Sequence, residues 1–69
     1  MNNLIYILRS YKRDGTHYTH EYLDAYWAWD DLRTAASPTC IDMYTRVELV
    51  EFNKEEQQEY PLAELTFPV

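Results

Sequence analysis

The stretch Leu4-Ile5-Tyr6-Ile7-Leu8-Arg9-Ser10-Tyr11-Lys12-Arg13-Asp14-Gly15-Thr16-His17-Tyr18-Thr19-His20-Glu21-Tyr22 reads as two strands joined at Asp14-Gly15. Asp-Gly is the pair that best tolerates the two positive φ angles of a type I′ turn, so the stretch predicts a tight hairpin with a two-residue loop. That loop sets a register in which Arg13 opposes Thr16, Tyr11 opposes Tyr18, Arg9 opposes His20 and Ile7 opposes Tyr22. Side chains alternate along a strand, so Ile5, Ile7, Tyr11, Tyr18 and Tyr22 are expected on one face. Leu4, Tyr6, Leu8 and Leu23 fall on the other, with Ser10, Thr19 and Glu21. Both faces are partly apolar, and a single helix covers only one of them. The other face calls for a second cover.

Downstream of the hairpin, Asp24 is a competent N-cap and Ser37-Pro38 a natural stop, which predicts a helix between them. On a 3.6-residue wheel Ala25, Ala28, Trp29, Leu32 and Ala36 form one stripe, with Trp27, Asp30 and Asp31 off it. A third strand is expected over Met43–Phe52, rich in β-branched and aromatic residues, with Val47 and Leu49 alternating against Tyr44, Val50 and Phe52. Asn53–Glu59 is polar and reads as a loop or short exposed helix. Residues 60–69 read as an extended strand or arm bracketed by Pro61 and Pro68, with Ala63, Leu65 and Phe67 on one side. The expected fold is α+β: a single small domain over residues 1–69, ββαβ, with a three-stranded antiparallel sheet of order 2-1-3, one helix and a C-terminal strand or arm.

Composition narrows the class. At 69 residues with 46% hydrophobic and 16% aromatic content, the chain is too apolar to be disordered and too short to bury a large core. A homodimer is therefore expected, to cover the second sheet face. The single cysteine, Cys40, cannot form an internal disulfide, and no apolar run approaches the roughly 20 residues of a membrane span. With no signal-peptide pattern, a cytoplasmic protein is expected. The net charge is −6, which disfavours direct contact with nucleic acid phosphates and favours a basic partner surface.

The residues offer little chemistry. His17 and His20, three apart on a strand, face opposite ways and cannot share a metal. Nothing in the sequence brings Cys40 to a histidine as a nucleophile–base pair. Asp30 and Asp31 diverge by about 100° on a helix and are not paired carboxylates. With one glycine in the chain there is no phosphate-cradling loop. No enzyme, metal or cofactor is expected. Seven tyrosines and two tryptophans, by contrast, suit a recognition surface.

A Tyr-rich hairpin containing Asp14-Gly15, one helix with aromatic and acidic residues, and the strand ending Arg46-Val47-Glu48-Leu49-Val50-Glu51-Phe52 together resemble the short acidic proteins that phages encode beside their structural genes, anti-CRISPR proteins among them. The resemblance implies a non-enzymatic inhibitor that occupies the nucleic-acid- or partner-binding surface of a bacterial host defence protein, in the host cytoplasm. On the residues, the surface expected to meet that basic partner is Asp30, Asp31, Glu55, Glu56 and Glu59, flanked by Trp27 and Tyr60. An alternative is a homodimer that sequesters a nucleotide, with Arg9, Lys12 and Arg13 on phosphate and Tyr11 or Tyr18 stacked on the base. A minor structural protein of a phage particle is a third reading.

Overall fold

Why the second strand swaps faces is settled at the hairpin. The computed structural model describes residues 3–37 and 43–67, so Cys40 and Pro38 lie outside the described residues. Strand β1 (Leu4–Lys12) and strand β2 (His17–Tyr22) are antiparallel neighbours. The register pairs Tyr6 with Tyr22, Leu8 with His20, Ser10 with Tyr18 and Tyr11 with His17. This is one residue away from the expected pairing. The loop holds three residues, Arg13, Asp14 and Gly15, closed by the Gly15 N–H on the Lys12 carbonyl (3.1 Å) and the Lys12 N–H on the Thr16 carbonyl (2.8 Å). Gly15 has φ +92°, whereas Asp14 is not in the positive-φ region that a type I′ turn demands of it. The geometry is that of a turn followed by a left-handed glycine, the common three-residue hairpin loop. Asp14 locks it by accepting from the Thr16 backbone N–H (2.9 Å) and from its hydroxyl (2.6 Å). Because the side-chain period is two, the slip moves Tyr18, His20 and Tyr22 from the Ile5–Ile7 face to the Leu8 face.

Helix α1 (Ala25–Ala35) follows. Asp24 caps it in an extended conformation, its carboxylate accepting from the Tyr26 N–H at 2.8 Å. Its buried residues are Ala28, Leu32 and Ala35, spaced i, i+4, i+7. Trp29 and Ala36, expected on the buried stripe, are exposed. Alanines at the contact let the helix sit close to the sheet, which leaves no room beneath it for an indole, so Trp29 is turned out along the flank. The helix packs on β1, β2 and strand β3 (Tyr44–Asn53).

The sheet has four strands, not three, in the order β2-β1-β3-β4, all pairs antiparallel. Strand β4 (Gln58–Thr66) is built from the segment expected as a polar loop end plus an arm. Its hairpin with β3 turns through Lys54–Gln57. There the Asn53 side-chain oxygen accepts from the N–H groups of Glu55 and Glu56 (3.0 Å each), and Gln57 takes φ +56°. Pro61 is tolerated because β4 is an edge and because the pairing shifts there: Leu49 faces Ala63 but Val50 faces Pro61, leaving Leu62 as the extra residue of a bulge. A second shift, between Tyr11 and Lys12, leaves Thr45 extra and turns Tyr44 to the helix side, where the sequence alternation placed it with Val50 and Phe52.

Each face carries its own apolar cluster. Under the helix, Leu8, Ala28, Leu32, Ala35, Val47, Leu49 and Phe67 are buried together, joined by Ala63 and Leu65 from β4. On the other face Ile5, Ile7 and Val50 are buried against Phe52. The expected second cover is supplied within the chain. Arg9 donates to Glu48 at 3.2 Å and to Glu59. Glu48 lies two residues before Val50 on β3, and Glu59 sits opposite Phe52 on β4, so the arginine spans Val50. Its aliphatic stem supplies apolar cover while its head stays paired.

Candidate functional site

The helix geometry decides which expected site residues can share a surface. With Ala28, Leu32 and Ala35 on the sheet, steps of about 100° per residue send Trp27 and Asp31 to one flank and Trp29 to the other. Tyr26 and Asp30 point outward. The Tyr22 hydroxyl donates to Asp31, which identifies the Trp27–Asp31 flank as the one over β2. Glu59 and Tyr60 stand on β4, at the opposite edge of the sheet, and Glu55 and Glu56 in the β3–β4 turn. The seven residues Trp27, Asp30, Asp31, Glu55, Glu56, Glu59 and Tyr60 therefore do not form one surface.

Several of those acids are also engaged within the chain. Asp30 meets Arg33 at 3.3 Å, Glu55 accepts from the Asn3 amide at 2.9 Å, and Glu56 accepts from the Tyr60 hydroxyl at 2.6 Å. That last bond raises the Tyr60 pKa, since a phenol donating to a carboxylate resists losing its proton. Glu59 lies on the face away from the helix, bound to Arg9.

The alternative set divides as well. Arg9 and Tyr11 stand on the face away from the helix, in a network centred on Glu48. That carboxylate accepts from Arg9, from the Tyr11 hydroxyl (3.1 Å) and from Arg46 (2.8 Å), while Arg46 also reaches Glu64 and lies 5.1 Å from the Tyr11 ring centroid. The bond to Glu59 is the main reason the Arg9 pKa is raised, and the charge of Glu48 the main reason for Arg46. Tyr18 stands on the opposite, helix-side face, and Lys12 and Arg13 at the hairpin end. Arg9 and Tyr11 thus cannot join Tyr18 around one nucleotide. His17 and His20 also lie on opposite faces, opposite Tyr11 and Leu8. Among the described residues no group of three or more His, Cys, Asp or Glu is placed to hold a metal ion.

Two features do come together. The first is the outer surface of the helix's N-terminal half. Leu23 (79% exposed), Tyr26 (62%), Trp27 (58%) and Trp29 (39%) lie within seven residues of one another. The Tyr26 and Trp27 rings pack edge to face, 5.0 Å between centroids at 87°, and Asp24, Asp30 and Asp31 punctuate the apolar surface. The sequence reading singled out Trp27 alone. The signal for the rest was Tyr26-Trp27-Ala28-Trp29: with about 100° between neighbours, three rings in four residues cannot all face one sheet.

The second is a cleft of about 170 Å³ between β1, β2, α1 and the start of β3, lined by Tyr18, Tyr22, Tyr44, Asp31, Thr34 and the buried Ser10, with Leu8 and Ala35 at its base. Burial, and then the hydrogen bond to Asp31, raise the Tyr22 pKa, so its hydroxyl stays protonated and donating. Along β2, Tyr18, His20 and Tyr22 make a ladder: the Tyr18 hydroxyl is 3.0 Å from His20 Nδ1, and the His20 and Tyr22 rings are 4.5 Å apart. Tyr22 and Tyr44 reached this cleft through the hairpin slip and the Thr45 bulge, neither of which the alternation of residues betrays. Among the described residues no helix is long and apolar enough to cross a membrane. Comparison with known proteins finds no matching family model, no matching curated protein and no matching solved structure.

Proposed function

We propose that this chain is a non-enzymatic binding module that docks on a basic surface of another protein through the outer face of α1. The observation that carries the reading is the exposed run Leu23, Tyr26, Trp27 and Trp29, interleaved with Asp24, Asp30 and Asp31. Large apolar side chains grouped on a surface are costly to leave in water and mark interaction sites, and tryptophan and tyrosine dominate binding energy where they are found. The aspartates and the net charge of −6 select a partner of opposite sign and steer its approach. Among basic surfaces, the nucleic-acid-binding face of a bacterial defence protein is the one the phage-protein resemblance points to, which makes the module an inhibitor by occupancy. Relative to the surface expected from sequence, this reading keeps Trp27, Asp30 and Asp31 and sets aside Glu55, Glu56, Glu59 and Tyr60, which lie elsewhere.

A deca-arginine peptide provides the test, with tryptophan fluorescence as the readout. Saturable binding that weakens with salt is expected, and it should be lost in the Tyr26→Ala, Trp27→Ala double variant and retained in Glu55→Gln, Glu56→Gln. Binding that survives the aromatic replacements but fails on loss of Glu55 and Glu56 refutes the helix surface.

A further inference from the structure

The cleft beside Asp31 has a composition that the docking surface leaves unexplained. We infer that it is the socket for one cationic side-chain head, an arginine guanidinium or lysine ammonium of the partner, held among Tyr18, Tyr22 and Tyr44 against the Asp31 carboxylate. The inference rests on the proposed function, since it supplies the anchor by which a basic partner is gripped.

Three observations carry it. First, size: about 170 Å³ is close to the roughly 150 Å³ cavity that takes one benzene ring, and well below the roughly 300 Å³ at which pockets for drug-sized ligands begin. A single planar or compact head group fits where a nucleotide does not. Second, chemistry: three of the lining side chains are tyrosines and one is a carboxylate, while none of the lining residues is basic among the described residues. Tyrosine faces attract cations through the ring quadrupole, and partial desolvation in a cleft strengthens the attraction. Third, preorganisation: Tyr22 is tied to Asp31 and Tyr18 to His20, so two walls are held in place before a ligand arrives. Tyr22 occupies one oxygen of Asp31, Oδ2, and a carboxylate has capacity for further N–H donors at Oδ1. The cleft opens beside the Trp27 flank of the helix, so a peptide lying across Tyr26 and Trp27 can drop a side chain into it.

The experiment is an NMR titration of the full chain with N-acetyl-arginine methylamide and, in parallel, with its neutral isostere N-acetyl-citrulline methylamide. The arginine derivative is expected to shift the ring protons of Tyr18, Tyr22 and Tyr44 saturably, with the citrulline derivative about fivefold weaker or worse. Asp31→Asn, which keeps size and can still accept from Tyr22, should bring arginine down to the citrulline level. Tyr44→Leu should weaken both. Equal shifts from the two derivatives, or arginine shifts that bypass the three tyrosines, overturn the socket. The Tyr26→Ala, Trp27→Ala variant separates the two readings. Loss of deca-arginine binding with the single-residue ligand still held refutes neither, whereas deca-arginine binding by the wild type that Asp31→Asn leaves unchanged refutes the socket and leaves the helix surface standing.

Discussion

Gly15 is the residue on which the arrangement of the tyrosines depends. A Cβ built on it meets nothing within 4 Å, yet its φ is +92°. The requirement for glycine is therefore torsional and not steric. Gly15→Val should lower stability by about 1–2 kcal/mol in a thermal melt, since a β-branched residue resists that region, and Gly15→Asn should cost less. The neighbouring Asp14 has its pKa lowered, chiefly by the Thr16 hydroxyl and then by the Thr16 N–H. A depressed carboxylate contributes stability above its unfolded value and loses it as pH falls through the folded one, so the hairpin should loosen in acid, below about pH 4. Gln57 shows the converse of Gly15: a non-glycine residue at φ +56°. Gln57→Gly should raise stability by up to about 1 kcal/mol if relief of the left-handed conformation outweighs the added chain entropy. At this scale the position of the turn was legible in Asp14-Gly15, but its register was not. Two- and three-residue loops both use the pair and differ only in whether Asp14 itself takes a positive φ.

For the helix, the division between holding the fold and meeting a partner is sharp. Leu32 is buried under the helix with Leu8, Val47 and Leu49, and Leu32→Ala should cost about 2–5 kcal/mol. Tyr26→Ala and Trp27→Ala should each change stability by less than about 0.5 kcal/mol, because these rings are already in water. A large loss at Trp27 would place it in the core and remove it from the docking surface. Tyr22 links helix to strand. Its raised pKa means that stability is full below about pH 10 and falls as pH climbs through the higher folded value. Tyr22→Phe should flatten that alkaline decline and cost about 1 kcal/mol or less at neutral pH, the bond to Asp31 being largely solvent-exposed. The helix's existence and its N-cap were readable from Asp24 and the apolar spacing. Its rotation was not, because a wheel cannot tell whether an alanine-rich stripe leaves room for Trp29 beneath it.

At the scale of the whole molecule, the fourth strand and the second face belong to one argument. Pro61 made residues 60–69 look like an arm, since a proline removes a ladder donor; an edge position beside a bulge removes that objection. The strand brings Ala63 and Leu65 to the main core, and the chain beyond it brings Phe67, whose N–H bonds to the Thr45 carbonyl at 3.0 Å. Phe67→Ala should therefore cost about 3 kcal/mol, as a core truncation does and the clipping of a free arm does not. The two-sided apolar pattern was legible, and it called for a second subunit only because the cover given by Arg9 could not be seen from sequence: Glu48 and Glu59 are 39 and 50 residues away from it. With Ile5, Ile7 and Val50 buried inside one chain, a homodimer gains little by closing over that face. Sedimentation at tens of micromolar should then find a single species near 8.3 kDa. A concentration-dependent dimer that dissociates in Ile7→Asp, with the monomer still folded, would restore the face as an interface between copies.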